Sequence, residues 1–473
     1  MDDCRENKAN SLQEALGAYA RADCARFHMP GHKGRGMAGF WRDELIKWDV
    51  TELSGTDNLH APDGPIRCAE REMAKAYGAK ASFYVVNGST NAVQAMIFAL
   101  SDTDKLLLSR DCHRSAALGA ALRGVETAFI RPPFDAQSGL PGMITPEQLE
   151  HELLRTQATA VLITSPNVYG FCADVKQLAE AAHRHGALLL VDGAHGAHFP
   201  FSDALPRGLG GFADLFAHSQ HKTMDALTQA ASLHLGECRI GEERVRRALA
   251  MTETTSPSYL LMASLNWSVY MAGRRDWSAQ AARIEALVPL IEQIQGLEVP
   301  KTPQGCGVPQ RDQTRLVIDV SGRGLTGCEA QEALEKAGVY IEMSDTRRLV
   351  LITTPDDDPL WYDRLLGALA ALPQKEALRR ETTDESVWNE PARQKRTLRQ
   401  AAFADCETVP LESAAGRTAA EAVGVYPPGV ALVLPGEAFS QRAVEYLLNR
   451  KRTGSALFGV HDGGVLTLKE RQE

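Results

Sequence analysis

The chain has 473 residues, too many for one ordinary core, so two or three domains are expected, or one large α/β domain with an appendage. A formal charge of −9 argues against a nucleic-acid binder, whose footprint is usually basic, and no stretch approaches the roughly 20 apolar residues that a membrane helix needs. The acidic start MDDCRENKANSLQEALGAYARAD lacks the basic and apolar regions of a secretory signal, and nine scattered cysteines without C-x-x-C spacing read as reduced thiols, so a cytoplasmic protein is expected.

From about residue 80 to residue 235, short apolar runs alternate with helical patterns, the mark of a mostly parallel sheet with crossover helices. Strands are predicted at 82–86, 105–109, 127–130, 160–164, 187–191, 215–219 and 230–235. Asp174 is placed to cap a helix whose apolar positions are Val175, Leu178, Ala179 and Ala182, with Gly186 where a left-handed residue is wanted. A long amphipathic stretch follows at 277–296, then strands at 315–320 and 349–353 around a helix at 327–337. The domains expected are a large one with the N-terminal segment (1–290), a small α+β domain (291–373), a charged linker or helix (374–399) and a C-terminal domain (400–473).

Three motifs carry chemistry. Asn87-Gly88-Ser89-Thr90-Asn91 follows a strand and opens a helical pattern, which suits a phosphate, although a plain N-cap by Ser89 or Thr90 is the simpler reading. Val191-Asp192-Gly193-Ala194-His195-Gly196-Ala197-His198 sets a carboxylate at a strand end, where α/β sheets bind ligands; Asp192, His195 and His198 are also metal-ligand types, but their spacing lacks the helical i, i+4 geometry, and no metal is expected. Ala217-His218-Ser219-Gln220-His221-Lys222-Thr223 closes another strand with a lysine that burial can turn into an amine nucleophile; alone, it reads as a surface lysine. Together they meet the three needs of pyridoxal 5′-phosphate (PLP): an anchored phosphate, a carboxylate for the pyridine nitrogen and a lysine for the aldehyde.

The chain also resembles the bacterial Orn/Lys/Arg decarboxylases, of the fold-type I, aspartate-aminotransferase-like PLP superfamily. The resemblance runs nearly end to end, through FHMPGHKG (27–34), DVTELSGTDNLHAPDGPI (49–66), NGST (87–90), DCHRS (111–115), VDGAHGAHF (191–199), SQHKT (219–223), TTSPSY (254–259), YPPG (426–429) and LPGE (434–437). It implies a large α/β domain with a seven-stranded sheet and smaller α+β C-terminal domains. It implies PLP-dependent decarboxylation of arginine, lysine or ornithine to the corresponding amine and CO2. By position, Lys222 holds the cofactor as a Schiff base, Asp192 pairs with its pyridinium nitrogen, His113 stacks on its ring and Ala194 packs beneath. His195 touches cofactor or substrate. Ser89, Thr90, Ser219 and His221 hold the phosphate with the 254–256 loop, Thr254 and Ser256 reaching in from the other subunit of a dimer. Asp57, Asp63 and Glu412 are the candidates for the substrate's distal cation; each is equally readable as an ordinary surface carboxylate.

Two positions depart from the family. Gly193 stands where an acidic residue is common, and Gln220 where a Thr is common. The match is to the short form without the N-terminal wing domain, so a homodimer or tetramer is expected rather than a large decamer. Other fold-type I reactions (aminotransferase, aldolase or another lyase), a silent PLP-binding protein and a metal-dependent hydrolase are the competing readings.

Overall fold

The computed structural model describes residues 11–35, 45–135, 138–376, 387, 390, 393–426, 430–452 and 455–469. Most of the charged stretch expected at 374–399, and residues 427–429 of the YPPG motif, lie outside the described residues. Among the described residues no helix is long and apolar enough to cross a membrane.

The seven predicted strands form one sheet: β1 (Ala81–Val85), β2 (Lys105–Ser109), β3 (Glu126–Ile130), β4 (Ala160–Thr164), β5 (Leu188–Asp192), β6 (Leu215–His218) and β7 (Ala231–Leu235). Their order is β1-β7-β6-β5-β4-β2-β3. β7 is antiparallel to both neighbours and every other pair is parallel. Leu107, Val161, Ile163, Leu189 and Val191 feed one core, while Leu106, Leu108, Leu162, Leu188 and Leu190 feed the core on the opposite face. Strands covered on both faces have no polar side, which is why AVLIT and LLLVD read as unbroken apolar runs.

The crossover helices begin where the strands end. Helix α1 (Gly88–Phe98) follows β1 and α2 (Arg114–Arg123) follows β2; α3 (Val175–Arg184) precedes β5, and Asp174 accepts the Gln177 N–H at 3.0 Å as its cap. Gly186 closes that turn at φ +69°. At α1 the expected cap is displaced: Asn87 is the N-cap and makes no side-chain capping bond, while Ser89 and Thr90 lie inside the first turn.

A second core surrounds a three-stranded antiparallel sheet, β8 (Arg315–Asp319), β9 (Met343–Ser344) and β10 (Arg348–Ile352), packed with helices Gly327–Lys336 and Pro359–Ala370. Ala25 and Phe27 join this core, because residues 25–27 pair in parallel with 339–341. The C-terminal residues build a third core from a two-stranded and a three-stranded sheet around helix Gln441–Arg452. Leu398, Ala431 and Leu434 pack into the large sheet's core beside α2.

The segment after the helix Glu242–Ala250 is clamped to the start of α1. Asn87 Nδ2 donates to the Thr252 carbonyl at 3.4 Å, Asn91 bonds the Thr252 hydroxyl, and Glu253 accepts the Val86 N–H at 2.7 Å. Burial pushes the Glu253 carboxyl up to about 7, with Glu70 adding to the rise. A carboxyl that holds its proton more tightly when folded stabilises the fold below its unfolded value near 4.5, and that contribution disappears as pH rises through about 7. Glu253→Gln removes the dependence. Relative to the natural chain the variant gains on the order of 3 kcal/mol between those limits, read as a difference in urea midpoint; parallel pH profiles for the two proteins refute the assignment.

Candidate active site

The site lies at the carboxyl ends of β5 and β6, where open α/β sheets bind ligands. Asp192, the last residue of β5, is buried and accepts the Ala194 N–H at 3.1 Å. Two residues past β6 the chain coils into a single turn, Gln220–Thr223, that presents Lys222 toward Asp192.

Lys222, His195 and Arg315 form one row. Lys222 Nζ lies 3.1 Å from His195 Nε2, and Arg315 Nη2 lies 3.2 Å from His195 Nδ1. Guanidinium only donates, so Nδ1 accepts, and the neutral ring carries its proton on Nε2. That N–H points at Lys222 Nζ, a geometry that suits the lysine as a free amine. Electrostatics agree: burial lowers the Lys222 value, with Arg315 contributing, against Asp192 and Glu342. Burial, then Lys222 and Arg315, hold His195 well below the ordinary imidazole value.

His113 caps α2, its Nδ1 accepting from the Ser115 N–H at 3.3 Å. Its value is lowered by burial and by Lys222, against the pull of Asp192. Beside it, burial pushes the Asp111 carboxyl up to about 6, with Asp192 adding and the Ser109 hydroxyl opposing.

The Ser219 hydroxyl donates to Ser89 Oγ at 2.6 Å, joining the Lys222 turn to the first turn of α1. With Asn87 supplying no capping bond, the first-turn N–H groups of α1 remain available to an anion. Thr90 is exposed on the same turn. His221 Nδ1 donates to the Ala230 carbonyl at 3.0 Å, and burial lowers the ring to about 4, so as placed it presents an unprotonated Nε2.

The two departures from the family have steric and polar reasons. A Cβ at Gly193 lies 2.6 Å from Leu209 Cδ1 and 3.1 Å from the Ala217 oxygen, so a side chain there requires Leu209 to move. Gln220 is fully buried, its amide reaching Ser232 Oγ at 2.5 Å and Tyr77 OH at 3.4 Å. Ser232 in turn bonds His234, which lies 3.2 Å from His218.

Other expected residues sit apart. Asp57 accepts backbone N–H groups from Asn58, Asp63, Gly64, Ile66 and Arg67, so its carboxylate is consumed in shaping its own loop. Asp63 and Glu412 are exposed and make no contact with the Lys222 row among the described residues. His198 turns away, 3.2 Å from Thr314 Oγ1, with its ring centroid 4.8 Å from that of Trp277 in a tilted pair. Thr254 and Ser256 lie on an exposed turn, the Thr254 carbonyl held by His60 at 2.9 Å.

Sequence reasoning missed four residues in and around the row. Arg315 opens a fully buried strand whose centre, Leu316–Ile318, is apolar, which is the signal it left. Glu342 accepts the Met29 N–H at 2.9 Å and is within electrostatic reach of Lys222, Arg315 and Lys33. Lys33 is fully buried and donates to the carbonyls of Ile352 at 2.8 Å and His28 at 3.0 Å. Gly31 donates to the His221 carbonyl, and a Cβ on it lies 2.5 Å from the Met224 nitrogen, so the FHMPGHKG motif lies directly against the Lys222 turn.

The residues fit PLP: a free amine, a buried carboxylate facing it, and an uncapped helix start bonded to the amine's own turn. Serine palmitoyltransferase, solved with a PLP internal aldimine, shares the fold (TM-score 0.54, 16% identity, 74% of this chain and 86% of that one). So does the constitutive lysine decarboxylase of Escherichia coli (TM-score 0.75, 20% identity, 97% and 82%). In sequence, the chain is 32% identical to the arginine decarboxylase of Bacillus subtilis strain 168 over 98% of both chains. Residues 10–301 match the family model for the Orn/Lys/Arg decarboxylase major domain, and residues 378–462 match the model for its C-terminal domain. By this match and that relative, the chain belongs to the Orn/Lys/Arg decarboxylase family.

Proposed function

We propose that the chain decarboxylates arginine to agmatine and CO2 with PLP bound at Lys222, in a chain divided into a large domain, a small domain, a linker and a C-terminal domain. The free-amine geometry of the Lys222–His195–Arg315 row carries the reading, because an amine held neutral is what a Schiff-base lysine must be. Relatives named arginine decarboxylase favour arginine over lysine and ornithine. When bound, PLP supplies the electron sink for the carbon left behind as the carboxylate departs.

The remaining work falls to side chains. Asp192 would pair with the pyridine nitrogen, and His113 and Ala194 would line the two faces of the ring. Ser89, Thr90, Ser219, His221 and the first turn of α1 would take the phosphate. Lys222 Nζ, with the His195 Nε2 proton beside it, is the group placed to return a proton to the substrate's α-carbon.

Glu342 takes the substrate's distal guanidinium, in the role first expected of Asp57, Asp63 or Glu412; a desolvated guanidinium needs a carboxylate partner. The exposed Thr254–Ser256 turn supports a homodimer in which each subunit completes the other's phosphate site. The described cysteines are all free thiols, which supports a cytoplasmic setting.

The deciding assay gives the PLP-loaded protein arginine, lysine, ornithine and a neutral amino acid separately and identifies products by mass spectrometry. Agmatine dominates, and Lys222→Ala abolishes it; no amine from any of the three overturns the reading. Glu342→Gln raises KM for arginine about ten- to a hundredfold, the usual worth of a charge-assisted contact. An unaltered KM removes Glu342 from the substrate site and leaves the reaction assigned.

A further inference from the structure

The LPGE motif has no part in the chemistry above, yet its glutamate is buried against the loop that carries His113. Glu437 Oε1 accepts from Arg110 Nη1 at 2.9 Å, with both side chains 4% exposed. Its Oε2 accepts the Leu434 N–H at 2.8 Å, and Arg110 Nη2 donates to the Leu432 carbonyl at 2.9 Å. Arg131 also feels the Glu437 charge, so one carboxylate faces two guanidinium groups. Arg110 directly follows β2 and lies one residue before Asp111 and three before His113. Helix α2, which His113 caps, is gripped on the same side: Arg399 donates to the Leu122 carbonyl, and Leu398, Ala431 and Leu434 share a core with Ala116, Ala117 and Ala120.

We infer that Glu437 is a positioning residue, acting through Arg110 to seat the His113 ring, so that the C-terminal unit sets the geometry of the active site rather than merely covering the sheet. Neutralising Glu437 leaves buried guanidinium charge unpaired, a situation relieved by moving the Arg110 loop toward water. His113, three residues on, moves with it. The inference rests on the reading of His113 as the residue over the cofactor ring, but the seating itself is independent of the reaction.

The test is NMR on protein carrying 13C-labelled histidine, without cofactor or substrate, the His113 signal being assigned by its loss in His113→Gln. In Glu437→Gln the His113 titration moves up toward 6.5 as the ring gains water, and in the PLP-loaded enzyme kcat falls roughly tenfold with KM within about twofold. Arg110→Lys, which retains a cation for Glu437, gives the smaller shift of the two. A folded Glu437→Gln protein whose His113 titrates as in the natural chain overturns the inference. If that variant does not fold, Arg110→Lys is read in the same way, and failure of both to fold also overturns it, since the pair is then a folding element alone. Because the signal is read without substrate, absent decarboxylation leaves the seating result standing, and an unmoved His113 leaves the reaction untouched.

Discussion

Everything at this site depends on one constraint: a histidine wedged between a lysine and an arginine has to be neutral. With three cations in a row, repulsion in a dry setting is severe, since two unit charges 4 Å apart interact at about 4 kcal/mol even at an effective dielectric of 20. The row relieves itself through His195, held well below the ordinary imidazole value, and through Lys222, whose hold on its proton burial weakens, while Arg315 is the strongest base of the three. Arg315 thereby acts on the lysine without touching it, through the choice of tautomer it forces on the ring between them.

That arrangement needs contributions from distant parts of the chain. The sheet alone supplies Asp192, His195 and Lys222 at adjacent strand ends. Arg315 and Glu342 come from the small three-stranded unit, and the N-terminal segment threads between the two, with Gly31 against the Lys222 turn and Lys33 sealed under β10. Burying Lys33 is tolerable because two carbonyls accept from it and Asp357 lies 3.9 Å away. The site is thus a junction, and its rigidity comes from backbone-to-side-chain bonds across that junction.

Legibility in the sequence followed the physics of each feature. The sheet was readable because strands buried on both faces must be apolar throughout, and the Asp192 and Lys222 motifs because they close such strands. The start of α1 shows a limit: Ser89 and Thr90 look like caps by residue type, but Asn87 precedes them, and Ser89 is engaged by Ser219 of the Lys222 turn, a contact no local pattern reveals. Asp57 was read as a substrate carboxylate because residue type says nothing of the five backbone N–H groups that converge on it. Arg315, Glu342 and Glu437 escaped because their partners lie roughly 100 to 300 positions away in the chain, and a charged residue beside apolar ones advertises a partner without naming it.

The parallel pairing of residues 25–27 with 339–341 has a consequence for how the protein is made. A ribosome releases the first of these strands more than three hundred residues before the second, so the leading segment emerges with its apolar Phe27 and its lysine Lys33 lacking their partners. The large sheet can close in the meantime, because its seven strands are all contained in residues 81–235. The Lys222 turn, however, gains its neighbours Gly31 and Arg315 only when the small unit has formed and drawn the leading segment across. Assembly of the reactive amine thus waits on residues beyond 339, whereas the strands of the large sheet are all present by residue 235.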